Sequence, residues 1–146
     1  MADKWASELF KCGYNCAQAV FAAHADKLGV DTPTALKLSA PLGAGVGRMR
    51  EVCGAFSACA MLMGMKYAST EPTEERKKEI YERTQKLAEE FKKMHGSILC
   101  RDILQLQKDA PTPPTPDKRT AEYYAKRPCA DMCELAGIIT EKYLKM

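Results

Sequence analysis

The chain has 146 residues, 46% of them apolar and 28% charged, the balance of an ordinary globular protein with length for one buried core. Twenty-two Lys and Arg against nineteen Asp and Glu leave a formal charge of +3, too small and too evenly spread to imply a nucleic-acid partner. The longest nearly uncharged apolar run, Val52 to Met65, has 14 residues, short of the roughly 18–20 that a membrane span needs.

Met1-Ala2-Asp3-Lys4-Trp5 runs into a charged amphipathic stretch and does not read as a secretory signal, so the expected location is cytoplasmic. Apolar residues recur at helical spacing over 3–12 (Trp5, Leu9, Phe10) and 16–28 (Ala17, Val20, Phe21, Leu28). Thr32 caps a short helix with Pro33 at its first position, ending near Ala40. The glycine-rich run 43–47 reads as a flexible entry to a helix over about 50–67, apolar on every face and therefore central. Thr70 to Met94 is the longest predicted helix, with Ile80, Thr84, Leu87, Phe91 and Met94 on one stripe of a charged cylinder. His95-Gly96 closes it. A short helix follows over 97–106, then an extended loop, 110–116, that holds four of the eight prolines. Helices around 118–126 and 128–145 complete an all-α, irregular multi-helix bundle, predicted as a single domain over 1–146. No stretch alternates as a strand would.

Seven cysteines with no export signal argue against a secreted disulfide framework. Asn15-Cys16-Ala17-Gln18 has the form of a capping box, which puts Cys16 at the first helical position. Cys53 lies within about a turn of the predicted start of the central helix. Cys100 follows Ser97, read as a cap, by three residues. Cys129 directly follows Pro128, a residue suited to a first helical position. Four cysteines thus fall at four helix starts, where unpaired N–H groups and the positive end of the dipole favour thiolate. Arg48, Arg50, Arg101 and Arg127 are sequence neighbours of three of them. Cys59 reads as core packing, Cys12 as peripheral, and Cys133 lies one turn beyond Cys129 on the same face.

The pieces GYNCAQAVF (13–21), GAGVGR (43–48), CGAFSA (53–58), GSILCRDIL (96–104) and CADMCELAGII (129–139) resemble the redox-active proteins named for the C_GCAxxG_C_C pattern. The likeness covers nearly the whole chain in the family's order. It implies Cys16, Cys53, Cys100 and Cys129 as the signature cysteines, the same four that the capping logic selects. One departure is Ala58, where the pattern has its second glycine.

Three readings of these four cysteines stay open. They hold an iron–sulfur cluster for electron transfer, which four positive helix ends suit and a related domain in multihaem electron-transfer cytochromes favours as part of the resemblance. Their separations of 37, 47 and 29 residues match no ferredoxin spacing. Alternatively they work in pairs as a dithiol–disulfide oxidoreductase, or they form a structural four-cysteine zinc site without turnover. Whether the chain is an enzyme depends on that choice. The expected partner in the first two readings is a redox donor or acceptor. Residues 43–47 lack the ending of a phosphate loop, and no Cys-x-x-Cys-His occurs for covalent haem. His24 reads as a bundle-edge residue and His95 as a helix-end residue. Met61, Met63 and Met65 read as core filler.

Overall fold

Local capping chemistry sets most of the helix starts in the computed structural model, which describes residues 2–145 and the side chains of residues 6–145. Trp5, assigned to the apolar stripe of the first helix, has its side chain outside the described residues. Eight α-helices form among the described residues: α1 (Ala2–Lys11), α2 (Cys16–Ala25), α3 (Thr32–Ser39), α4 (Gly54–Tyr67), α5 (Glu74–His95), α6 (Cys100–Ile103), α7 (Ala121–Lys126) and α8 (Cys129–Leu144). No strand occurs among the described residues, as the all-α expectation requires.

The Asn15 capping box forms in full: the Asn15 side chain accepts from the Gln18 N–H, and Gln18 accepts from the Asn15 N–H. Asp31, not Thr32, caps α3, because its carboxylate reaches both the Thr34 N–H and hydroxyl. Thr73 caps α5, so that helix begins later than its charge pattern suggests. The ion pairs on its solvated side are Arg76–Glu79 and Lys78–Glu82. Its buried stripe is Leu87 and Phe91, while Met94 is exposed.

The centre is shared by α2, α4 and α8, which pack on one another. Helix α1 lies against α2 and α8, α3 against α2, and α5 against α4. The helix expected at the centre, over about 50–67, is α4, which shares that place with α2 and is shorter at its start. α2 is the most enclosed element, with every residue but Gln18 buried. Its alanines at 17, 19, 22, 23 and 25 let neighbouring helices approach on all sides. α4 begins only at Gly54, because residues 51–53 run extended and meet residues 98–100. Val52 and Leu99 form an antiparallel bridge, with Cys53 N–H donating to Ile98 O (2.7 Å) and Cys100 N–H to Glu51 O (2.6 Å).

His24, assigned to the bundle edge, is fully buried; its Nδ1 pairs with Val20 O at 3.1 Å, and burial lowers its pKa. Of the three methionines read as core filler, only Met63 is buried, and Met65 is exposed. In the middle of α4, Leu62 is 0% exposed. Leu62→Ala should cost about 2–5 kcal/mol of unfolding free energy, read as a lower denaturant midpoint. A cost below about 1 kcal/mol would show that the site collapses around the smaller side chain. No described helix is long and apolar enough to cross a membrane.

Candidate functional site

Four helix starts converge on one cavity. Cys16 is the first residue of α2, Cys100 of α6 and Cys129 of α8, while Cys53 is the capping residue of α4. All four line the same partly open cavity, about 490 Å3 with its open mouth included. Two contacts bring them there. The bridge between Val52 and Leu99 sets Cys53 beside Cys100. The starts of α2 and α4 abut so closely that a Cβ on Gly54 would lie 2.6 Å from Cys16 Sγ. Gly54 is therefore glycine because Cys16 occupies the space a side chain would need.

Ser97 does not cap the helix of Cys100. Its hydroxyl accepts from the Leu99 N–H and donates to Asp102, leaving Leu99 at the cap position. Cys100 still opens the helix, and its sulfur accepts a hydrogen bond from buried Arg50 at 3.6 Å. Arg50 owes its position to a left-handed turn over residues 44–50, where Ala44, Val46, Arg48 and Arg50 all have φ between 52° and 64°. Left-handed backbone costs non-glycine residues about 1–2 kcal/mol each. Backbone bonds from Gly47 N–H to Pro41 O (2.7 Å) and Glu51 N–H to Gly45 O (2.8 Å) hold the turn. The glycine-rich segment, expected to be a flexible entry, is a hydrogen-bonded turn that puts Arg50 in the cavity wall and Arg48 on Pro113 O and Asp117.

At Cys53, Cys100 and Cys129 the electrostatics run against the expectation of ready thiolates. Burial raises the pKa of Cys53, repulsion from Cys16 and Cys100 adds to it, and the N–H groups of Phe56 and Ala55 pull the other way without prevailing. Burial also raises that of Cys100, against the hydrogen bond and charge of Arg50. Cys129 is pushed up to about 12 by burial, then by Cys16 and Cys100. Helix ends alone thus do not overcome desolvation when several thiols share one apolar site. Iodoacetamide at neutral pH should modify exposed Cys12 first and spare Cys53, Cys100 and Cys129 until the chain unfolds or the pH rises. Fast labelling of Cys129 under those conditions, read by peptide mass mapping, would refute this order. The folded thiol of Cys129 also holds its proton where the unfolded chain has lost it, so stability should fall as pH rises from about 9 to about 12.

The remaining cysteines separate by depth. Cys59 is buried in α4, 3.4 Å from Ala136 O and 3.1 Å from the Thr140 hydroxyl, and its pKa is pushed up to about 12 by burial. Cys133 is fully buried directly behind the site, its sulfur 3.9 Å from Cys16 O, and the repulsions that raise its pKa beyond burial come first from Cys16 and Cys53. All seven cysteines are free thiols in this structure.

Sequence reasoning did not find the surrounding charge. Asp117, from the proline-rich loop, accepts from Arg48 (2.9 Å), Arg127 (3.2 Å) and Arg50 (3.5 Å). Burial works against its ionisation, but the hydrogen bond from Arg48 and the three guanidinium charges outweigh it and lower its pKa. Arg119 stacks on Phe10, its guanidinium 4.2 Å from the ring centroid, and donates to Phe10 O and Tyr14 O. A net positive collar surrounds the thiols. The proximity of Arg48, Arg50 and Arg127 to cysteines in the sequence is the one signal that pointed towards it.

Among the described residues, no three His, Cys, Asp or Glu side chains are grouped so as to hold a metal ion. The four thiols line a cavity without closing on a point. A lone zinc needs four ligands each about 2.3 Å from it, whereas the thiolates of an iron–sulfur cluster are spread over its several irons. Four thiols are, in kind, the donor set that iron–sulfur clusters use.

Comparison with curated proteins found no match, and neither did comparison with solved structures. The family described as "Putative redox-active protein (C_GCAxxG_C_C)" matches residues 14–143. That span includes all four cavity cysteines, Gly54 between two of them, and the arginine-bearing turn. The chain belongs to the C_GCAxxG_C_C family.

Proposed function

We propose that Cys16, Cys53, Cys100 and Cys129 ligate an iron–sulfur cluster, making the protein an electron-transfer module that serves a redox donor and acceptor. The observation that carries this reading is the convergence of four thiols from four separate helix starts on one cavity. When bound, such a cluster supplies reversible one-electron chemistry. The chain's own residues would hold and tune it. Three longer helices, α2, α4 and α8, direct unpaired N–H groups at the cavity, and the collar of arginines offsets negative charge. Arg50, donating to Cys100 Sγ, is placed to stabilise the electron-rich form.

The raised thiol pKa values favour this reading over bare dithiol exchange. A thiol with a pKa of about 12 is ionised in roughly one molecule in 100,000 at neutral pH, and thiolate is the attacking species in exchange. The four thiols would release their protons on ligating iron, and the burial that silences a bare thiol would then shield the liganded sulfurs. Anaerobic reconstitution with ferrous iron and sulfide tests the proposal through bound iron, bound sulfide and visible absorption. Protein that binds neither, yet cycles its thiols as a two-electron couple, would replace the cluster reading with the dithiol one.

A further inference from the structure

A second cavity, about 820 Å3 with its open mouth included, adjoins the thiol cavity. Asn15, Ala44, Arg50, Arg119 and Tyr123 line both. Beyond that shared wall it is bounded by Arg48, Asp117 and two prolines, Pro114 and Pro116. Three guanidiniums border it or cross into it, and Arg127 joins two of them on Asp117. The carboxylate of Asp117 is the one acidic partner that any of the four arginines has among the described residues.

The charge excess is held in place. The Arg50 side chain is 7% exposed and that of Arg48 is 15% exposed, so water screens these cations less than it would on an open surface. Both arginines stand on left-handed backbone, φ 64° for Arg48 and 61° for Arg50, a conformation such residues keep only where the surroundings impose it. Arg48 spends one nitrogen on Pro113 O and another on Asp117. Planar guanidiniums gathered on a carboxylate are the usual means of recognising carboxylates and phosphates. Asp117, half-exposed on a loop without helix or strand, already shows that this arrangement accepts an oxyanion.

We propose that the cavity walled by Arg48, Arg50 and Arg119 binds the oxyanion group of a small organic molecule and presents that molecule to the thiol site. The carboxylate or phosphate lies against the guanidiniums beside Asp117, and the rest of the molecule extends past Tyr123 towards the cysteines. As a substrate site this rests on the thiols being the working groups; as an anion site it does not. Asp117 limits affinity by contributing a like charge to the ligand's own.

The test is a titration of the apoprotein with succinate and, separately, with inorganic phosphate, followed by the arginine Nε–H signals in NMR at ionic strength held constant with chloride. Saturable shifts at Arg48 and Arg119 are expected with at least one of the two. Succinate alone assigns a carboxylic acid, phosphate alone a phosphate ester, and both assign the shared oxyanion chemistry. Asp117→Asn should tighten binding about tenfold, and Arg48→Gln should weaken it about tenfold. The two substitutions move affinity in opposite directions, which a merely structural role for the clamp would not produce. No saturation with either anion in both the wild-type protein and Asp117→Asn overturns the site, as does an Arg48→Gln protein that is folded and binds undiminished. Iron is absent from this titration, so its result is independent of whether reconstitution succeeds.

Discussion

Replacing any one of Cys16, Cys53, Cys100 or Cys129 with serine should abolish the brown colour and the broad absorption near about 400 nm expected of the anaerobically reconstituted protein. The expected effect is close to all-or-none, because the four thiols come from four different helix starts and no second set lines the cavity. Serine preserves shape but offers a much poorer iron ligand. Two controls read the same property in the opposite sense. Cys12→Ser alters an exposed thiol and should change nothing. Cys59→Ala removes a buried sulfur near Ala136 and Thr140, so it should lower stability by about 1 kcal/mol and leave the iron content intact. Iron and sulfide analysis alongside denaturant midpoints separates the two outcomes. Full iron in Cys100→Ser, or colour lost in Cys59→Ala, would sink the assignment of ligands.

Gly54→Ala is expected to damage stability and site together. The added methyl would lie 2.6 Å from Cys16 Sγ, 2.9 Å from Leu42 O and 3.0 Å from the Ala17 nitrogen. Two of those three atoms are backbone, so no rotamer change relieves the clash, and the starts of α2 and α4 must separate. Overpacking of this kind typically costs about 1–3 kcal/mol. Here it also displaces a proposed ligand, so iron uptake should fall with the midpoint. Ala58, where the family pattern has glycine, provides the contrast: it is fully buried in α4. Ala58→Gly should cost roughly 1 kcal/mol in helix propensity and leave iron uptake unchanged. If Gly54→Ala unfolds at the wild-type midpoint and takes up iron normally, the close approach of the two helix starts has no functional weight.

The helical architecture, and the place of the four cysteines at helix starts, are legible in the residue order alone. Helical periodicity, the Asn15–Gln18 capping box and Pro128 before Cys129 are signals carried by residues within one turn of one another. The motif glycine at 54 was legible as a position, but its reason, the sulfur of Cys16, was not. The remaining features depend on contacts between residues far apart in the chain. The extended run 51–53 depends on residues 98–100, about fifty positions away, whose backbone bonds outcompete continuation of an apolar helix. His24 is buried because neighbouring helices close around the alanines of α2, and helical spacing alone cannot tell an edge from a centre. The charge on the thiols follows the same division. A helix start favours thiolate locally, but desolvation and repulsion between cysteines remote in sequence prevail at Cys53, Cys100 and Cys129. Arg48, Arg50 and Arg127 meet on Asp117 for a similar reason: burial makes a shared counter-ion necessary, and which carboxylate supplies it is settled by how the proline-rich loop folds back.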